Sequence, residues 1–315
     1  QVRDGGAHSA RLRRDGADLT RLHVELVEAL GEVFASRPTD RVIVQGDTST
    51  AFAASVAAFY QRVAVAHIEA GLRTWDNDSP FPEEAHRRWI SVCADQHFCP
   101  TEQACRHLLD EGIDRRRVHL VGNTVIDAIG LVSDRIADPA AVGPTAGRRL
   151  FVTTHRRENH EQLEDNILPA LSRVLERAED VDIVLPLHPN PVVRAAVERY
   201  FQATDRVHLC PPLDYGESLG LIRSSTLVVT DSGGLQEEAT SLGTPVLVLR
   251  RQTERIEAVS SGNALIIGTD CETASEHILM VLADKALRAR MARPSDVFGQ
   301  GHAAQRIVEV LLREA

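Results

Sequence analysis

Three acidic residues in the first half of the chain stand where a short apolar run gives way to polar residues. Asp47 follows Val44-Gln45-Gly46, Glu69 closes the segment His67-Ile68-Glu69-Ala70-Gly71-Leu72-Arg73, and Glu83 comes just after Pro82 in Ser79-Pro80-Phe81-Pro82-Glu83-Glu84. In open α/β sheets, ligands collect at the carboxyl ends of strands, and these positions read as such ends. Carboxylates held close together titrate apart, which prepares separate acid and base roles. Each residue also has a plainer reading. Asp47 could cap the following helix. Glu69 could pair with Arg73, since a buried carboxylate needs a partner. Pro82, Glu83 and Glu84 are ordinary residues for the first turn of a helix.

The second half offers basic and anion-binding pieces. His155 begins His155-Arg156-Arg157-Glu158-Asn159, directly after the apolar run 150–154, and His188 begins His188-Pro189-Asn190-Pro191 after the run 182–187. A lone histidine after a strand is usually structural; two in matching positions read as ligand contacts. The sharpest local signal is Thr230-Asp231-Ser232-Gly233-Gly234-Leu235-Gln236-Glu237-Glu238. Glycine lets a phosphate approach the backbone, and the helix that follows offers free N–H groups at its start. Ser232, Gly233 and Gly234 are therefore candidates for holding phosphate, and Glu238 for accepting ribose hydroxyls. A Walker loop, G-x-G-x-x-G and zinc-ligand spacing are all missing, so the expectation is a site without cofactor or metal.

These residues need elements to position them. Strands are predicted at Arg41–Gln45, Val63–Ile68, Gln96–Cys99, Val118–Val121, Leu150–Thr154, Asp182–Leu187, Val207–Leu209, Thr226–Thr230, Pro245–Leu249 and Ala264–Ile267. They are brief and rich in Val, Ile and Leu, as strands buried on both faces are. Between them lie amphipathic stretches such as Leu19–Phe34, with apolar residues near a 3.6 period, and His302–Leu312 is again helical. The alternation predicts an α/β fold of two Rossmann-like, doubly wound parallel-sheet domains. A Pro-, Gly- and Ala-rich stretch at 138–149 reads as the linker. The expected division is 1–146, 147–297 and a terminal helix at 298–315 that packs back on the first domain.

The 315 residues are 43% hydrophobic but only 4% aromatic, so the core must be built from Ala, Val, Leu and Ile. A formal charge of −10 gives no long-range pull toward nucleic acid or an anionic membrane. Five dispersed cysteines read as reduced thiols of a cytoplasmic protein. No apolar run reaches the ~18 residues of a membrane span.

The sequence resembles the non-hydrolysing UDP-N-acetylglucosamine 2-epimerases, which share the glycosyltransferase-B fold. The resemblance rests on VQGDTST (44–50), AHIEAGLRT (66–74), SPFPEEAHR (79–87), PTE (100–102), VGNTVIDA (121–128), HRREN (155–159), PLHPNP (186–191), TDSGGLQEEA (230–239), SLGTPVLVLR (241–250) and TERIEA (253–258), in family order. It implies reversible C2 epimerisation of a UDP-sugar by elimination of UDP to a bound glycal and readdition, in a cleft between the two domains of a homodimeric enzyme. Asp47, Glu69 and Glu83 would be the catalytic carboxylates, with His155 stabilising the departing diphosphate. Ser232, Gly233, Gly234, Glu238, Arg255 and His188 would hold the nucleotide. A hydrolysing 2-epimerase and a UDP-sugar glycosyltransferase of the same fold are the competing readings.

Four departures from the family pattern stand out. The family's opening Gly-Thr-Arg-Pro-Glu and a following Lys have no match, so the first βαβ unit is expected to be missing from this chain. Ser218 replaces an aromatic residue, Ile256 replaces a proline, and Ala17 follows Gly16 where many bacterial members carry glutamine. The last position belongs to a second, regulatory UDP-sugar site in those members. Arg156 is the candidate regulatory residue retained here, and without the glutamine the expectation is hyperbolic kinetics.

Overall fold

A computed structural model describes residues 18–133, 136, 147–154, 159 and 162–313. The chain divides into two compact units, Gln1–Leu120 and Val121–Ala315.

In the first unit α1 (Leu19–Ser36) starts at Asp18, whose carboxylate caps it by accepting from Thr20 N at 2.9 Å. Then follow β1 (Arg41–Gln45), α2 (Ser49–Tyr60), β2 (Ala64–Ile68), α3 (Glu83–Cys93), β3 (Gln96–Cys99), α4 (Glu102–Asp110) and β4 (Val118–Leu120). The four strands form one parallel sheet in the order β1-β2-β3-β4. Helix α2 buries Ala51, Ala53, Ala54, Ala57 and Ala58. These small side chains bring its axis close to the sheet, and Val44, Val65 and Ile90 complete the cluster. Gln45 lies opposite Ile68, so β1 and β2 end side by side and release residues 46–48 and 69–73 as neighbouring loops.

The second unit opens with α5 (Thr124–Val132) and β5 (Arg148–Thr153), followed by α6 (Leu168–Arg177), β6 (Val181–Pro186), α7 (Pro191–Tyr200), β7 (Val207–Cys210), α8 (Tyr215–Ser224), β8 (Leu227–Thr230), α9 (Gly233–Leu242) and β9 (Val246–Val248). It closes with α10 (Ile256–Ser260), β10 (Ala264–Ile266), α11 (Cys271–Ala283), α12 (Lys285–Met291) and α13 (Ala303–Arg313). Its six strands are all parallel, in the order β10-β9-β8-β5-β6-β7. The chain moves from β5 outward through β6 and β7, then returns to place β8 on the other side of β5. That reversal leaves a crevice at the carboxyl ends of β5 and β8, the point where open α/β sheets bind ligands. Thr153 and Thr230 face each other there, with their hydroxyls 2.6 Å apart.

All ten predicted strands are present. β5 begins at Arg148, so the linker expected over 138–149 ends sooner, and its residues 138–146 lie outside the described residues. Helix α13 packs on α5, and Asp127 of α5 caps it by accepting from Ala303 N at 3.1 Å and Ala304 N at 3.0 Å. Just before each of these helices the backbone crosses itself. A Cβ at Gly299 would lie 3.0 Å from the Cα of Gly122, and both residues have positive φ, so only glycine fits either place. Among the described residues no helix is long and apolar enough to cross a membrane, and the five cysteines are free thiols.

Candidate active site

In the first unit, β1 ends in Gly46, which turns with φ +70° and donates its N–H to Ile68 O at 3.0 Å. The Gly46 carbonyl accepts from His67 Nε2 at 2.8 Å. His67 is fully buried, and burial lowers its pKa to about 3, against the raising effect of the Gly46 carbonyl. The imidazole is thus neutral, with its proton on Nε2, and it clamps the turn that carries Asp47. Thr48, not Asp47, caps α2, accepting from Ala51 N at 3.2 Å. Asp47 is left to bind Arg87, whose Nε lies 2.8 Å and Nη2 2.7 Å from Oδ2. The Asp47 carbonyl also accepts from His86 Nδ1 at 2.9 Å.

Arg87 is nearly buried and bridges two carboxylates, because its Nη1 donates to Glu84 Oε2 at 2.9 Å. Glu84 is fully buried and accepts from the backbone N–H of Thr74 at 3.0 Å and of Trp75 at 3.1 Å. The loop after β2 is therefore tied to α3 and, through Arg87, to Asp47. Glu83, the first residue of α3, is half-buried and has no hydrogen-bond or ion-pair partner among the described residues.

Glu69 leaves β2 with φ +64°, a left-handed conformation that costs a non-glycine residue about 1–3 kcal/mol and clusters at functional sites. Its Oε2 lies 3.7 Å from where a Cβ on Gly46 would stand, which puts the carboxylate beside the Asp47 turn. Arg73 was the expected partner of Glu69. It binds Glu111 instead, with Nε–Oε1 2.9 Å and Nη2–Oε2 2.7 Å, and anchors the loop to the end of α4.

In the second unit, Ser232 is the N-cap residue of α9, and its side chain makes no capping bond. A Cβ on Gly233 would meet Arg255 Cζ at 2.9 Å, whereas a Cβ on Gly234 would meet nothing within 4 Å. Arg255 itself is nearly buried, donating from Nε to Glu237 at 2.8 Å and from Nη1 to Glu254 at 2.8 Å. Ser232, Gly233, Gly234 and Arg255 are thus brought together at one helix start. Glu238 sits on the next turn, and burial pushes its carboxyl up to about 7. His188, in the loop after β6, accepts from Asn190 N through Nδ1 at 3.0 Å, which leaves Nε2 to carry the ring proton. Asn159 donates to Asp231 Oδ2 at 2.9 Å, which ties it to the residue before Ser232. His155 and Arg156 lie outside the described residues.

Sequence reading did not single out Arg87, Glu84 or His67. The signal available was the i,i+3 spacing of Glu84 and Arg87 on one helix, which alone reads as a surface pair. No group of side chains among the described residues has the makings of a metal site.

Known proteins resemble this chain over most of its length. The sequence profile described as UDP-N-acetylglucosamine 2-epimerase matches residues 7–312. The UDP-N-acetylglucosamine 2-epimerase of Bacillus subtilis is 44% identical over 284 residues, covering 90% of this chain and 75% of the relative. That of Escherichia coli K12 is 40% identical over 314 residues, covering 96% and 84%. Among solved structures, the UDP-GlcNAc 2-epimerase of Neisseria meningitidis bound to UDP-GlcNAc superposes with a TM-score of 0.90 at 37% identity, covering 96% of this chain and 84% of that one.

Proposed function

The chain belongs to the UDP-N-acetylglucosamine 2-epimerase family, and on that premise we propose that it interconverts UDP-N-acetylglucosamine and UDP-N-acetylmannosamine without releasing free sugar. The C2 proton is not α to a carbonyl and is a poor acid. It becomes removable when the anomeric C1–O bond breaks in the same elimination. One carboxylate takes the C2 proton, UDP leaves with the bonding electrons of C1–O, and a C1–C2 double bond forms in the bound glycal. UDP then adds back to C1 while an acid delivers a proton to the opposite face of C2.

Asp47 and Glu83 are assigned these two proton transfers, and Glu69 orients or shares protons with them. Asp47 suits the task because Arg87 fixes its carboxylate while α2 is capped by Thr48. Glu83 suits it because nothing in the described protein engages its carboxylate. Ser232, Gly233 and Gly234 receive the diphosphate, Arg255 and His188 line the nucleotide, Glu238 accepts the ribose hydroxyls, and His155 stabilises UDP as it departs. The charge is dispersed by protein groups alone, and the enzyme acts as a homodimer. The observation that carries this reading is the carboxylate arrangement in the first unit, with Glu69 held at positive φ beside the Arg87-bound Asp47. A glycosyltransferase donor site explains the glycine turn but has no use for these carboxylates.

Incubation with UDP-N-acetylglucosamine in D2O, followed by proton NMR, tests it. Deuterium should enter C2, UDP-N-acetylmannosamine should accumulate, and nucleotide sugar should be conserved, with or without a chelator. Asp47→Asn, Glu69→Gln and Glu83→Gln should each lower turnover by roughly 100-fold or more. Stoichiometric free UDP would favour the hydrolysing reaction, and full activity in all three variants would remove the mechanism.

A further inference from the structure

Gln236, Glu237 and Glu238 are consecutive residues of α9 with three different surroundings. Glu238 is the proposed ribose contact. Gln236 is fully buried, donating to Ser232 O at 3.1 Å and accepting from Thr253 Oγ1 at 2.8 Å. Glu237 is 2% exposed and both of its oxygens are engaged: Oε1 accepts from Arg255 Nε at 2.8 Å and Oε2 from Asn123 Nδ2 at 2.8 Å. Asn123 is in turn held by its own backbone N–H, which donates to Phe298 O at 2.7 Å.

A buried ion pair is weak support for stability, since packed apolar side chains of similar volume do as well. What this pair does is geometric. With Nε on Glu237 and Nη1 on Glu254, the guanidinium carbon stands 2.9 Å from where a Cβ on Gly233 would lie, at the first turn of α9, where the unsatisfied N–H groups of the helix start also point. An arginine on a flexible stem would have to be ordered by the ligand; one already fixed spares that cost.

We propose that Glu237 is a positioning residue for nucleotide binding, holding the Arg255 guanidinium against Gly233 so that it meets the diphosphate of a UDP-sugar. The inference rests on the assignment of the diphosphate to the Ser232–Gly234 turn. Glu237 touches no ligand; it acts through Arg255, and Asn123 fixes its other oxygen.

The test is a double-mutant cycle read by UDP calorimetry, with Glu237→Gln, Arg255→Ala and the pair, and with thermal midpoints measured alongside. Each single change should raise the Kd for UDP about tenfold, the weight of a hydrogen bond to a charged group. The double variant should bind no more weakly than Arg255→Ala alone, and in turnover assays KM should rise more than kcat falls. Glu237→Asp keeps the charge in the same cavity and serves as the second variant if Glu237→Gln does not fold; it should also weaken UDP. A lowered midpoint with unchanged Kd in both Glu237 variants, or additive losses in the double variant, overturns the proposal. If Arg255→Ala itself leaves Kd unchanged, the diphosphate assignment fails, and this inference fails with it.

Discussion

Gly233 and Gly234 are identical in type and opposite in surroundings. The first is glycine because the Arg255 guanidinium occupies the place of its side chain; the second faces open space. Alanine at 234 should therefore be tolerated by the unliganded protein, and even favoured by about 0.5–1 kcal/mol as a helical residue. It should cost UDP affinity, because the methyl group stands where the phosphate is proposed to approach. Calorimetry and thermal unfolding of Gly234→Ala should move in opposite directions; wild-type affinity would place the phosphate elsewhere. Glu238 makes a second prediction. Its pKa is raised from the ordinary 4.5 to about 7, so folding favours its acid form. That contribution to stability is fully present below 4.5 and is lost as pH rises through about 7. Accepting ribose hydroxyls requires the carboxylate. From about pH 6 to about pH 8 the free protein should lose thermal stability while UDP affinity rises. Glu238→Gln should flatten the stability change and weaken UDP by about 1.5–3 kcal/mol at the upper end. A Glu238→Gln curve that tracks wild type would assign the change to another group. The sequence marked the two glycines and Glu238 together as a nucleotide turn. It could not separate Gly233 from Gly234, because the reason for Gly233 is an arginine that only the tertiary fold brings back.

At the scale of elements, α3 divides its two leading glutamates between tasks. Glu84 holds the loop after β2 and half of Arg87, while Glu83 holds nothing in the described protein. Glu84→Gln should destabilise by about 3 kcal/mol, since it breaks one arm of a buried charge network. Glu83→Gln should stay within about 0.5 kcal/mol of wild type while losing turnover. Denaturant unfolding of the two variants checks this, and equal losses of stability would undo the division. Most strands were legible because they are short Val-, Ile- and Leu-rich runs; β3, Gln-His-Phe-Cys, was legible only from its place in the β-α alternation. Which loop residue caps a helix was not legible. Asp47 and Thr48 are both good caps, and the choice is made by Arg87 from another helix. The same holds for Arg73, which neighbours Glu69 in sequence and yet is claimed by Glu111 at the end of α4.

For the whole molecule, the remaining expectation is kinetic. Ala17 cannot donate to a second UDP-sugar as the glutamine of many bacterial relatives is expected to do. One neutral contact contributes about 0.5–1.5 kcal/mol, comparable with a coupling free energy of ~1–3 kcal/mol. We therefore expect hyperbolic rate curves, and reaction from UDP-N-acetylmannosamine without priming by the gluco substrate. A sigmoidal forward curve, with a lag from the manno side that trace gluco substrate abolishes, would contradict it. Ala17 and Arg156 lie outside the described residues, so this expectation rests on the sequence alone.

The backbone crossing at Gly122 and Gly299 has a genetic consequence. Residues after β10 look dispensable in a linear map, since no strand follows it among the described residues. Yet Phe298 O holds the Asn123 N–H, Arg306 holds Val121 O at 3.1 Å, and Asp127 caps α13. Asn123 in turn holds Glu237. A nonsense codon anywhere between 285 and 298 would leave both sheets encoded and still remove the far support of the glycine turn. Such late alleles should behave as complete losses of function and not as mild ones.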